Sequence, residues 1–449
     1  MSGLSSGDIL AFLEAPEFIH AWKKVNEQSL LWSDFKKLPT PPNVSSEQLW
    51  EIITFLRYQA GVVLPFKPYV SHSSGVVWFS VPQEMEVQLQ QLNRSSHERS
   101  ALWQYIATNN NLYLHLFLYL NEVISVVHRD GVQIEDERIK AIWTDSANAA
   151  TPNEKLLIKL REMLLDTERY LHRKITRGLI EEVLERLVGN EHFDTKPQKR
   201  LSVKHQTSIF DPEYALSAIC TLSDKPVSEG LIHPIFSSLN ISGIFWDHHP
   251  LPALNAMVDL VIKKIFYTQC DYPLLAYLPF SYICERWEKQ IIAPQSKINF
   301  VEVLENNCKF GYDSTAFHAA ILNLYTSEFE SLASKIALFQ QKEEHYRDKI
   351  DLLHKYNHRQ KQILSTALLS PNAEISISTY QRLNKVSYAT ARQDLLQLAK
   401  DRFFTLKISD KAFLFSAAPN CLSVIDQMAS EGDNSVSTLP VPSDAVRLP

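Results

Sequence analysis

Apolar residues recur at steps of three and four along most of the chain, and glycine is rare, 11 in 449, so the pattern predicts a predominantly helical protein. Ser45-Ser46-Glu47-Gln48 has the layout of a capping box and opens a helix through Trp50, Ile53 and Phe55. A turn at Pro39, Pro41 and Pro42 precedes it; Pro65, Pro68 and the Ser71 to Gly75 cluster follow, and Val76 to Val81 reads as a short strand. From about residue 100 to 325, helical segments alternate with breaks at Asn109 to Asn111, Asp145 to Pro152 and Lys196 to Pro212. The polar, β-branched stretch Arg200 to Ile209 reads as a short hairpin.

Residues 326 to 354 carry a sustained stripe of Phe329, Leu332, Ile336, Phe339, Tyr346, Ile350 and Leu353, interrupted at Glu343. Such a stripe fits a long helix packing on its own chain, or a coiled-coil seam in a dimer. Beyond Pro419 the periodicity is read as lost, and a disordered tail is expected from about Ser430.

Between these lies a compact series of elements. Arg359 to Leu369 forms one helix, Ser378 to Leu383 a second, and Ser387 caps a third, Tyr388 to Arg402. Phe403 to Ile408 and Ala412 to Phe415 then read as two strands around a turn. Three helices followed by a hairpin are the order of a winged helix-turn-helix. Residues 355 to 417 hold ten basic residues (Lys355, Arg359, Lys361, Arg382, Lys385, Arg392, Lys400, Arg402, Lys407 and Lys411) against four acidic ones, Glu374, Asp394, Asp401 and Asp410. That local surplus, in a chain of formal net charge -6, is the electrostatic footprint of phosphate-backbone contact. The start of the third helix and the hairpin nominate Tyr388, Thr390, Ala391, Arg392, Gln393 and Lys407 for double-stranded DNA. A protein-binding or packing module has the same layout.

Length and composition bound the rest. A chain of 449 residues exceeds one compact core. Its 45% hydrophobic and 21% charged content is ordinary globular material. No basic, then apolar, leader opens the sequence, and the run Leu112 to Val127 is too short and too polar to span a bilayer. Cys220, Cys270, Cys284, Cys308 and Cys421 form no C-x-x-C pair, so neither a disulfide framework nor a metal site is expected, and a cytoplasmic compartment is.

The remaining chemistry centres on His249-Pro250-Leu251-Pro252-Ala253-Leu254-Asn255-Ala256-Met257. Taken alone, His248 and His249 end one helix and Asn255 caps the next, Ala256 to Phe266, with Asp259 near its positive end. The segment also resembles the signature of the Fic (Fido) family, H-P-F-x-D-G-N-G-R-x-x-R. His249, Pro250 and Asn255 stand; the acid is Ala253, the glycines are Leu254 and Ala256, and the arginines are Met257 and Leu260. Pro234 to His248 looks like the family's entering helix, Met257 to Tyr272 its leaving helix, and Arg200 to Ile209 its target-aligning flap.

The resemblance implies transfer of AMP from ATP, with Mg2+, to a protein hydroxyl. It makes His249 the general base and Asn255 a nucleotide contact, with the acid holding Mg2+, the glycines admitting phosphate and the arginines neutralising it. Ala253, Met257 and Leu260 cannot do these jobs. The family's inhibitory pattern, S/T-x-x-x-E-G/N, is echoed by Ser125 to Gly131, with Asp130 as the acid and Gly131 retained. With Leu260 in place of the arginine, an acid at 130 is expected to have nothing to grip; Asp130-Gly131 also reads as a plain helix end.

The expectation is therefore a mainly α protein: an N-terminal helical region to about 100, a Fic-like domain at 101–325 with a short β flap, a linker helix at 326–354, a small winged helix at 355–417, and a tail. Its expected role is a non-catalytic regulator or binding protein, needing no cofactor or metal, with a protein partner, double-stranded DNA or a second copy of itself. The rival reading is an active adenylyltransferase with a divergent motif, using His249 as base with ATP and Mg2+.

Overall fold

The computed structural model describes residues 11–64, 76–109, 112–144, 149–166, 168–189, 211–228, 232–289, 303, 311–369, 374–409 and 412–431. The expected hairpin at 200–209 and the break at 65–75 lie outside them. The chain is mainly helical, and its contacts divide it into two compact units. The first comprises Met1–Thr108, Leu118–Asp136 and Thr151–Ser331; the second comprises Asn109–Phe117, Glu137–Ala150 and Leu332–Pro449.

The first unit opens with α1 (Pro16–Glu27), α2 (Trp32–Phe35) and α3 (Ser46–Ala60). The capping box at α3 forms as its sequence requires: the Gln48 amide donates to Ser45 Oγ at 3.2 Å, and the Ser45 amide to Gln48 Oε1 at 2.9 Å. Val62–Val63 (β1) pairs antiparallel with Trp78–Phe79 (β2), a shorter strand than the run Val76 to Val81 suggests. Buried Arg57 of α3 donates to Asp313 at 2.8 Å and to the hydroxyls of Ser80 and Thr315, which ties both ends of the unit's chain together.

Along the chain follow α4 (Gln83–Ser96), α5 (Ala101–Asn109), α6 (Leu112–Arg129), α7 (Asp136–Thr144), α8 (Pro152–Leu165), α9 (Arg177–Val188), α10 (Pro212–Ser228), α11 (Pro234–His248), α12 (Asn255–Gln269) and α13 (Phe280–Glu288), of which α7 and the first turns of α6 fall in the second unit. Helix α12 is the spine of the first unit. Every residue from Asn255 to Tyr267 is buried, so it has no polar face to offer solvent. Its polar residues Asn255, Asp259 and Lys263 recur at four-residue spacing, which lines them along one side of the helix inside the core. Buried polar groups of this kind persist only when paired. Lys263 is paired with Glu122 of α6 at 3.0 Å, both side chains almost fully covered, and also donates to the Leu278 carbonyl.

The 37-residue α14 (Thr315–Asp351) carries the long apolar stripe. Phe329, Leu332, Ile336, Ile350 and Leu353 are buried within the chain itself, while Leu338 is exposed.

In the second unit, α15 (His358–Leu369), β3 (Ile375–Ser376), α16 (Ile377–Asn384), α17 (Tyr388–Lys400), β4 (Phe404–Ser409) and β5 (Ala412–Ala417) surround one core. The sheet is antiparallel in the order β3-β5-β4, with Leu406 opposite Phe415 and Ile375 on that residue's other side. Past Pro419 the structure corrects the reading of an aperiodic tail. Cys421–Glu431 is a helix, α18, whose Cys421, Val424, Ile425 and Met428 pack on this core at the three- and four-residue steps of an apolar stripe. The intervening Ser, Asp and Gln residues hid that stripe.

Glu122→Gln should destabilise the protein by about 3–5 kcal/mol, because it leaves Lys263 charged and buried without its carboxylate. A urea titration followed by far-UV circular dichroism measures it, and adding Lys263→Met should restore part of the loss.

Candidate functional site

The loop at 249 joins α11 to α12, and its shape follows from two residues in left-handed backbone. His249 ends α11 at φ 46°, and Leu254 precedes α12 at φ 54°, ψ 35°. A β-carbon in that region costs about 1–2 kcal/mol. Leu254 stands where the resemblance places a glycine, so the backbone keeps a glycine-type turn without the glycine. Its side chain is buried in return.

Asn255 does not cap the helix as the sequence suggests. It lies inside α12, whose N-cap is Leu254, and its amide closes the loop by accepting from the Leu251 N–H and donating to the Leu251 carbonyl, both at 2.9 Å.

The cap comes from a distant part of the chain. Asp130 accepts from the backbone N–H groups of Ala256 at 2.9 Å and Met257 at 2.8 Å, one through each carboxylate oxygen. These are the second and third amides of α12, where the helix dipole is positive and where an anion would otherwise sit. The expectation that an acid at 130 has nothing to grip is thus corrected: it grips amides, and an arginine is not needed. Gly131 supports the placement at φ 70°, its N–H reaching the His128 carbonyl and that of Val132 the Val127 carbonyl, which is a helix end of the Schellman type.

Arg129, one residue earlier, serves the opposite terminus. Its guanidinium donates to the Trp246 carbonyl at 2.8 Å and lies 3.8 Å from the centre of the Trp246 ring, at the last turn of α11. Consecutive residues of opposite charge therefore hold the two helix ends that flank the loop, each matched to the local dipole. Glu122 repeats the arrangement at α13, accepting from the N–H groups of Ser281 and Tyr282 at 3.1 Å.

Below the loop, Ser242 of α11 donates to Asp259 of α12 at 3.0 Å. Burial raises the Asp259 carboxyl to about 7, against the pull of Lys263 and the Ser242 hydroxyl. His249 is half-buried, as is Ala253, while Met257 and Leu260 are fully covered, at 0% exposed. The residues at the motif's two arginine positions thus face core, not solvent. Among the described residues no group of three or more His, Cys, Asp or Glu is placed to hold a metal. Sequence reasoning missed Arg129, Glu122, Ser242 and Lys263. The four-residue spacing of 255, 259 and 263 within an apolar helix was the available signal.

In the second unit, Ser387 caps α17 through the Thr390 N–H at 3.1 Å, and its hydroxyl also meets that of Thr390. Tyr388 and Gln393 are exposed, and Arg392 lies over the Phe413 ring at 5.9 Å. Ala391 is buried, which removes it from the exposed face. Among the described residues of 355–417, three basic residues have acidic partners: Arg359 with Asp394, Lys355 with Asp401, and Lys407 with Glu374. Lys385, Arg392, Lys400 and Arg402 have no carboxylate partner among the described residues.

No model of a known family matches the chain, and no curated protein does. Among solved structures it is similar to a Fic family protein from Desulfovibrio desulfuricans G20, at 13% identity, over 76% of this chain and 97% of that one, with a TM-score of 0.37. At that score the likeness carries no weight for the chemistry of the loop. No helix among the described residues is long and apolar enough to cross a membrane.

Asp130→Ala should cost about 2–4 kcal/mol by leaving two buried N–H groups without acceptors. Sulfate should then raise the melting temperature of the variant more than that of the wild type, as an anion refills the helix terminus. The Asp259 carboxyl, raised from 3.8 to about 7 by folding, contributes stability that is fully present below about 3.8 and lost as pH rises through about 7. Asp259→Asn should therefore be the more stable protein above pH 7, the difference vanishing towards pH 4, as chemical denaturation across that range would show.

Proposed function

We propose that the chain is a Fic-like protein that binds rather than transfers: a regulator whose loop at 249 takes no nucleotide, joined to a winged helix that contacts double-stranded DNA. The observation that carries the first half is the Asp130 carboxylate on the Ala256 and Met257 amides. A phosphate would need those same donors, and would meet a negative charge already seated there.

The other residues of the loop support the reading. Ala253 offers no oxygen to a hard cation such as Mg2+. Met257 and Leu260 offer neither charge nor exposure. A magnesium nucleotide therefore does not fit the donor set, and no transfer step follows from it. His249 keeps an imidazole at the loop, but transfer through it would first require Asp130 to leave α12.

Support for DNA contact comes from the order helix, strand, helix, helix, strand, strand with a three-stranded sheet, which is that of a winged helix. Tyr388, Arg392 and Gln393 lie along the first two turns of α17, with Thr390 engaged in its cap. The cationic residues without carboxylate partners sit on α17 or directly beside its ends. Lys407 contributes less, because Glu374 offsets it.

Titrating the purified protein with ATP and Mg2+ in a calorimeter should give no binding heat, and labelled ATP, CTP or UTP with lysate should leave no label on protein. Label that appears, and disappears in His249→Ala, would reverse the assignment to a binding protein. With mixed-sequence duplex DNA, binding should weaken steeply with salt. Arg392→Ala should cost about 1 kcal/mol or more and flatten the dependence of log affinity on log salt by about one unit, measured by fluorescence anisotropy.

A further inference from the structure

Lys263 and Lys264 are neighbours on α12, and both are buried, but only one has a counter-charge. Lys263 has Glu122 and a carbonyl. Lys264 is 6% exposed, and its Nζ has neither a carboxylate nor a hydrogen-bond acceptor among the described residues. Facing it instead are two aromatic rings of the same unit, Trp103 at 5.6 Å and Tyr277 at 4.9 Å from their centres. Burial brings its ammonium down to about 8, although the two ring faces favour the charged form. At pH 7 such an amine holds about three hundredfold more free base than an ordinary lysine.

A second unspent group borders the same ring. Tyr119 packs on Tyr277 with ring centres 4.5 Å apart, and its buried hydroxyl has no hydrogen-bond partner among the described residues. Burial holds that hydroxyl well above its ordinary value, so it stays protonated and able to donate. One nucleophile and one donor thus flank Tyr277, in a setting that the cap at Asp130 does not touch.

We propose that Lys264 is a carbonyl-reactive amine that forms an imine with a small aldehyde beside Trp103 and Tyr277. The Nζ lone pair attacks the carbonyl carbon and makes the C–N bond. The two amine hydrogens leave with the carbonyl oxygen as water, and the C=N linkage remains, with no oxidant or reductant consumed. Once protonated, the iminium returns a positive charge to the place where two ring faces favour one. The small exposed area at Lys264 restricts the electrophile to a compact, apolar aldehyde. This chemistry is independent of the nucleotide reading of the loop, and the two are tested separately.

The test uses the full-length folded protein, propanal and cyanoborohydride at pH 7, with a time course of alkylation at every lysine by peptide mass spectrometry. Lys264 should be modified about tenfold faster than the median exposed lysine, and should lose that lead in urea. Lys264 lagging the exposed lysines in the folded protein would overturn the proposal. Lys264→Arg should remove the early adduct while far-UV circular dichroism stays unchanged; an early adduct of the same rate elsewhere would also overturn it. Should that variant not fold, the wild-type time course decides alone.

Discussion

A single turn of backbone at the end of α6 holds the first unit's central loop by charge. Arg129 takes the carbonyl end of α11, and Asp130 takes the amide end of α12. Each helix terminus exposes groups that its own turns cannot satisfy, and here both are met from one place by charges of the favourable sign. Glu122, eight residues earlier, does the same for α13. Neither Leu254 nor Pro279, the residues that begin α12 and α13, has a side chain able to cap. The caps are therefore tertiary, and these helices are positioned by α6 as much as by their own sequences.

The arrangement also explains how α12 tolerates so much polarity. A helix buried on all sides would ordinarily be apolar throughout, yet this one holds Asn255, Asp259, Lys263 and Lys264. Three of them are spent on identified partners: a loop backbone, a serine and a glutamate. The carboxyl of Asp259 still rises to about 7, because its burial outweighs the pull of Lys263 and the Ser242 hydroxyl, with Glu122 and Asp130 adding smaller contributions in the same direction. Among the described residues, Lys264 is the member of the set whose burial is met by aromatic faces alone.

Much of the architecture was readable from spacing. The capping box at Ser45, the helices around 249, the long stripe from Phe329 and the series of elements after residue 357 all follow from local pattern, and local pattern is what a sequence displays. Asp130 shows the limit. Its neighbours Arg129 and Gly131 mark a helix end, and nothing near it in the chain says that its carboxylate reaches residues 256 and 257. The same holds for Glu122 and residues 281 and 282. Asn255 illustrates the opposite error, since a residue type suited to capping was assigned that task when the fold had given it another. At α18 the apolar stripe was present, but it was too short to stand out from the polar residues around it.

Leu254 carries a consequence for anyone wishing to build a phosphate site at this loop. The backbone already bends as a glycine would, so placing glycine at 254 would relieve local strain and forfeit a buried side chain without altering the path of the chain. Arginines introduced at 257 and 260 would be sunk in apolar surroundings. The first obstacle is elsewhere, at the carboxylate contributed from the far end of α6, and any re-engineering of the loop has to begin by evicting it.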